Sequence, residues 1–172
     1  MKFDYLESID IDAAMHGITF VSQRAAIEHC LEVLGTRALD THVIVPVTCP
    51  PDILAGVLKA EAKPIVLDIC QETLSYDPVL LENTLSQFES SVVILPILGK
   101  EAPKNIEKLL EGNVVIKVFK DVPSPSTVIS VELFSIYDLS LYLGGGAVVY
   151  SQYTKQLDDL RTLRDGVLGS YA

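Results

Sequence analysis

Short, largely apolar runs, broken inside only by Asp68 and Lys117, recur along this chain at residues 43–47, 64–69, 91–98, 114–119 and 147–150, each rich in β-branched side chains. Runs of that length without alternation predict strands buried on both faces, as in a parallel sheet covered by helices. Helical spacing fills the intervals. Ala26, Cys30, Val33 and Leu34 share one stripe, with Ser22 placed as N-cap and Gly35 placed to end the helix in the left-handed conformation. Pro50-Pro51 starts a helix over 52–61, Asp77-Pro78 opens one through Leu85, and Pro103 precedes one at 104–110. Residues 153–164 make a charged last helix with Leu157, Leu160 and Leu163 inward. Strand and helix in alternation give βαβ units, so the predicted class is α/β, a three-layer αβα arrangement with a mostly parallel sheet. Residues 121–127 read as a loop from their proline and serine content.

With 172 residues the chain has enough material for one sizeable core, and a single domain over 1–172 is expected. Its 13 basic and 23 acidic side chains give a net charge of -10, which argues against nucleic acid as a partner. The start, Met1-Lys2-Phe3-Asp4-Tyr5-Leu6-Glu7, has no cationic region leading into an apolar run. No stretch reaches the ~18 apolar residues of a membrane span. A cytoplasmic location and no membrane partner are the expectation. Cys30, Cys49 and Cys70 are odd in number and far apart, and His16, His29 and His42 form no ligand pair with them. Neither a metal site nor a disulfide framework is expected, and the cysteines read as small buried hydrophobes.

Several segments form an ordered series: Val21-Ser22-Gln23-Arg24-Ala25-Ala26, Val43-Ile44-Val45-Pro46, Ala62-Lys63-Pro64-Ile65-Val66-Leu67-Asp68-Ile69, Thr73-Leu74-Ser75-Tyr76-Asp77-Pro78, Val93-Ile94-Leu95-Pro96, Gly144-Gly145-Gly146-Ala147-Val148-Val149 and Leu160-Arg161-Thr162-Leu163-Arg164-Asp165-Gly166. The series resembles the DegT/DnrJ/EryC1/StrS family of sugar aminotransferases, fold-type I pyridoxal phosphate enzymes. Its runs include V-S-S-G-T-A-A, V-I-V-P, G-A-K-P-V-F-V-D-I, T-L-N-I-D-P and K-L-R-x-L-R-N-H-G. The resemblance extends from about residue 20 to 166. It implies the large domain of that fold, with the family's C-terminal domain absent beyond residue 166, and an active site completed across a dimer. A homodimer, or a hetero-partner supplying the missing part, is therefore expected.

The resemblance also locates a site, and most of its chemistry is changed. Aligned on the family's F-S-F-x-x-x-K, the segment Phe134-Ser135-Ile136-Tyr137-Asp138-Leu139-Ser140 puts Ser140 where the Schiff-base lysine belongs. A serine hydroxyl forms no aldimine and is a poor general base near neutral pH. Lys117, Lys120 and Lys155 read as surface lysines. Gln23 and Arg24 replace the Gly-Thr turn that approaches the cofactor phosphate at a helix N-terminus, with Arg24 itself able to pair with an anion. Pro50 falls at the aromatic position that stacks on the ring.

Asp121 fits the aspartate that pairs with the pyridine nitrogen in one register, while a second register puts valine there; as a turn residue it needs no such role. Ser135 matches a serine near the phosphate, and on a strand it is also an ordinary alternate-face position. The His-Leu-Tyr-Gly segment of the family is reduced to Ile97-Leu98-Gly99. No other catalytic motif occurs, and Gly144-Gly145-Gly146 precedes a strand rather than following one, unlike a dinucleotide fingerprint.

Three readings follow. The first is a degenerate aminotransferase-like domain without catalysis, binding no cofactor and serving as a binding or scaffolding subunit. The second is a pyridoxal-phosphate-dependent sugar aminotransferase completed by a partner chain, with pyridoxal phosphate as cofactor if the family activity persists. The third is a small-ligand or anion sensor lined by Arg24, Asp121, Ser135 and Ser140.

Overall fold

The structure, a computed structural model, describes residues 17–36, 40–88, 91–97, 102–119, 134–138, 146–151 and 153–169. In chain order the elements are β1 (Ile18–Phe20), α1 (Gln23–Val33), β2 (His42–Pro46), α2 (Pro51–Lys59), β3 (Lys63–Leu67), β4 (Ile69–Cys70), β5 (Ser75–Tyr76), α3 (Pro78–Gln87), β6 (Val92–Ile97), α4 (Lys104–Leu110), β7 (Val114–Phe119), β8 (Phe134–Asp138), β9 (Ala147–Tyr150) and α5 (Thr154–Gly169). All but the β4–β5 hairpin strands join one seven-stranded sheet of order β1-β9-β8-β7-β6-β2-β3. The pairs β2–β3, β2–β6, β6–β7 and β7–β8 are parallel, and β9 is antiparallel to both its neighbours.

Alternation along the buried strands sorts the core into two layers. Val43, Val45, Ile94, Val118, Ile136 and Val149 pack on one face with Ala26, Ile27, Cys30 and Leu31 of α1, Ile53 and Val57 of α2, and Leu157 and Leu160 of α5. Ile44, Val93, Leu95 and Val115 pack on the other with Leu81 of α3 and Ile106 and Leu110 of α4. The fold is therefore α/β with helices on both faces of a mostly parallel sheet, as the apolar runs predict.

The helix signals act as read. Ser22 accepts a hydrogen bond from the Ala25 amide at 3.1 Å, and Gly35 takes φ +73 just past the C-cap. Pro51 occupies the first turn of α2, and the Asp77 carboxylate accepts from the Val79 and Leu80 amides at the start of α3. The run at 64–69 differs from its expected single strand. Asp68 accepts the Ile69 amide on its side chain and the Asp77 amide on its carbonyl, which ends β3 and turns the chain into the hairpin. The helix expected through residue 61 ends at Lys59, because Glu61 takes φ +58. Strand β1 lies outside the apolar runs, because three residues give too short a pattern to read. The loop at 121–127 lies outside the described residues.

Candidate functional site

Strands β1 and β8 both run antiparallel to β9, so β1 points the same way as the parallel strands. The N-termini of α1 and α2, which follow β1 and β2, consequently stand at the carboxyl end of the sheet. From β2 the chain steps outward to β3, and from β6 it steps the other way through β7 to β8. The boundary between β2 and β6 is a topological switch point, where open α/β sheets place their ligand crevice. Here the two strands do part. Their ladder covers only Val43–Val92 and Ile44–Val93, while β2 runs on to Pro46 and β6 to Ile97.

Tyr76 fills the parting. It is 1 % exposed, and its hydroxyl lies 3.1 Å from the Ile44 carbonyl oxygen and 2.5 Å from that of Ile94. These carbonyls belong to the two separating strands, and one phenolic proton serves both. Burial, with the Cys49 thiol adding in the same direction, holds the Tyr76 phenol well above its ordinary pKa of 10.0. The sequence reading gave Tyr76 no role. The available signal was an aromatic with a polar tip standing where the resembled T-L-N-I-D-P motif has isoleucine.

Of the expected site residues, the structure brings Gln23, Arg24 and Pro50 to this end of the sheet. Gln23 is buried in the first turn of α1, and Arg24 beside it is exposed. Ser22 uses the Ala25 amide with its side chain and the Ala26 amide with its carbonyl, which consumes part of the helix-end donor set. Pro50 is the N-cap of α2, half-buried and with no side-chain cap bond. Ser135 lies elsewhere, in mid-ladder opposite Lys117 and Tyr150, three residues before the end of β8. Asp121 and Ser140 lie outside the described residues, as does Lys120.

The lysines test whether the described residues fit a covalently held pyridoxal phosphate. Lys117 alternates with the inward Ile116 and Val118, so it shares the α3–α4 face with Val115. Lys104 opens α4 after β6 and so stands at the carboxyl end of the sheet, but on the α3–α4 face, and Lys108 is exposed one turn further along that helix. Lys59 ends α2 and Lys63 begins β3, both at the amino end of the parallel strands, and Lys155 starts α5 at that end too. Among the described residues, no lysine stands beside the α1 N-terminus at the carboxyl end of the sheet, and the donor set there does not fit a Schiff base.

The nucleophiles are equally subdued. Cys49, between β2 and α2, is pushed up to about 11 by burial, with the Leu54 amide opposing. Cys30 is fully buried and its thiol is raised by that burial. Cys70 lies on the hairpin, partly exposed, and donates to Glu72. Among the described residues there is no group of His, Cys, Asp and Glu placed to hold a metal ion, and no helix long and apolar enough to cross a membrane.

No family model matches the sequence, and no curated protein is found to match it. Solved structures do match the fold. DesV of S. venezuelae, determined with a ketimine intermediate, superposes with a TM-score of 0.68 at 17% identity over 87% of this chain and 43% of its own. The aminotransferase PseC of Helicobacter pylori, involved in pseudoaminic acid biosynthesis, gives 0.69 at 12% identity over 87% and 43%. The sugar aminotransferase CalS13 of Micromonospora echinospora gives 0.65 at 15% over 85% and 44%. The chain thus spans less than half the length of these proteins, and its fold is the one these structures share.

Proposed function

We propose that this chain is a degenerate pyridoxal-phosphate-dependent aminotransferase-like domain that does not catalyse transamination and works as a binding or scaffolding subunit. The observation that carries this reading is the placement of the lysines. Each described lysine lies on the α3–α4 face or at the amino end of the parallel strands, and none lies on the α1 face at the carboxyl end. Ser140 stands where the resembled motif has its amine. Two further features agree with it. Gln23 is buried in the turn where the family has a glycine, and Tyr76 bridges the parted strands at the switch point.

The test is an absorbance scan of the purified chain with pyridoxal phosphate, before and after borohydride, followed by mass spectrometry. The expected result is no reducible aldimine band and no adduct confined to one lysine. A specific adduct would overturn the reading.

A second reading is a sugar aminotransferase completed by a partner chain, with pyridoxal phosphate as cofactor. It is supported by structural neighbours that include a sugar aminotransferase. Under that reading a specific aldimine forms only after the partner is added.

A further inference from the structure

The carboxyl half of β3, at the edge of the described sheet, the β4–β5 hairpin and the first two turns of α3 follow one another along the chain as one strip. Hydrogen bonds tie its parts together. The Val47 amide donates to the Leu67 carbonyl, the Asp77 amide to the Asp68 carbonyl, and the Val79 and Leu80 amides to the Asp77 carboxylate. Leu74 and Val79 stand exposed along it at 56% and 63%, while Val66 of β3, exposed at 54%, lies beside Val45 on the opposite, α1–α2 face of the sheet. Leu74 also takes φ +55 at the hairpin, a left-handed conformation that a bulky side chain disfavours. Strand β3 is an edge of the sheet. Its amino half carries the edge-protecting pair Lys63-Pro64, whereas its carboxyl half presents Val66.

Charge says what covers it. Residues 64–99 contain no Lys, Arg or His, and their charged side chains are all carboxylates. Asp68, Glu72 and Glu82 are exposed on the strip itself. A second copy of this chain, docked strip to strip, brings carboxylate against carboxylate and is disfavoured. We infer that this strip is a docking surface for a cationic amphipathic segment of another protein. Its apolar side chains cover Leu74 and Val79, and its lysines or arginines meet Asp68, Glu72 and Glu82. This deepens the binding-subunit reading and rests on it.

The test titrates the full chain with two synthetic peptides of equal leucine content, one alternating leucine with lysine and the other with glutamate, followed by amide NMR shifts. The lysine peptide is expected to give saturable shifts confined to residues 66–82, and the glutamate peptide none. Affinity is expected to fall about tenfold in the double variant Leu74→Ser, Val79→Ser, whose spectrum elsewhere is unchanged. Four outcomes overturn the inference: no saturable binding, shifts spread to other acidic surface such as Asp158 and Asp159, binding indifferent to the double variant, or self-association through the same amides. A specific pyridoxal phosphate adduct would instead sink the non-catalytic reading while leaving these shifts intact, so the two failures are distinguishable.

Discussion

Gly56 of α2 lies so close to α1 that a Cβ there would stand 2.7 Å from the carbonyl oxygen of Arg24 and 2.8 Å from the Cβ of Ile27. Neither neighbour is the far end of a flexible side chain, so the two helices must separate to admit a methyl group. The exchange Gly56→Ala also gains up to about 1 kcal/mol of helix propensity. Overpacking costs typically about 1–3 kcal/mol. The expected net result is a lower urea midpoint with an unchanged slope. A midpoint equal to or above that of the parent chain would show that α1 and α2 are not locked together at this point.

Tyr76→Phe keeps the ring and removes the hydroxyl that serves the Ile44 and Ile94 carbonyls. Leaving buried acceptors without a donor costs about 1–3 kcal/mol. Chemical denaturation is expected to register that loss, and hydrogen exchange is expected to quicken at the carboxyl ends of β2 and β6 more than at β7. Uniform protection across the sheet would remove Tyr76 from its bridging role.

Alkaline pH is expected to weaken the fold. The Cys49 thiol is raised from its ordinary 9.0 to about 11 and the Tyr76 phenol above 10.0, both by burial. A group whose folded pKa lies above its unfolded value favours the fold fully below the unfolded pKa and loses that contribution as pH rises through the folded one. Stability should hold from neutrality to about pH 9 and decline from there to about pH 11 and beyond. Cys49→Ala should flatten the first part of the decline in denaturation curves taken at stepped pH. A curve identical to the parent's would assign the decline to other groups.

The local chemistry of this fold was written in single residues. Ser22, Gly35, Pro51 and Asp77 mark helix ends because capping, left-handed backbone and proline geometry act within a few residues of chain. The apolar runs announced the buried strands for a similar reason: a strand covered on both faces does not alternate apolar with polar, and β7 carries only Lys117 among apolar neighbours. What the sequence could not announce was the split at Asp68, where a side chain and a residue nine positions later jointly end β3.

The site was legible only as a resemblance. By itself the sequence determined only which side chains are present, Ser140, Gln23 and Arg24 among them. Tertiary structure decided that Gln23, Arg24 and Pro50 stand at one end of the sheet, that Lys117 faces the α3–α4 layer, and that Tyr76 reaches across to carbonyls 32 and 18 residues away. The physical reason is that alternation and capping are properties of a few neighbouring residues. Which strand ends part, and which side chain fills the gap, depends on how distant segments pack.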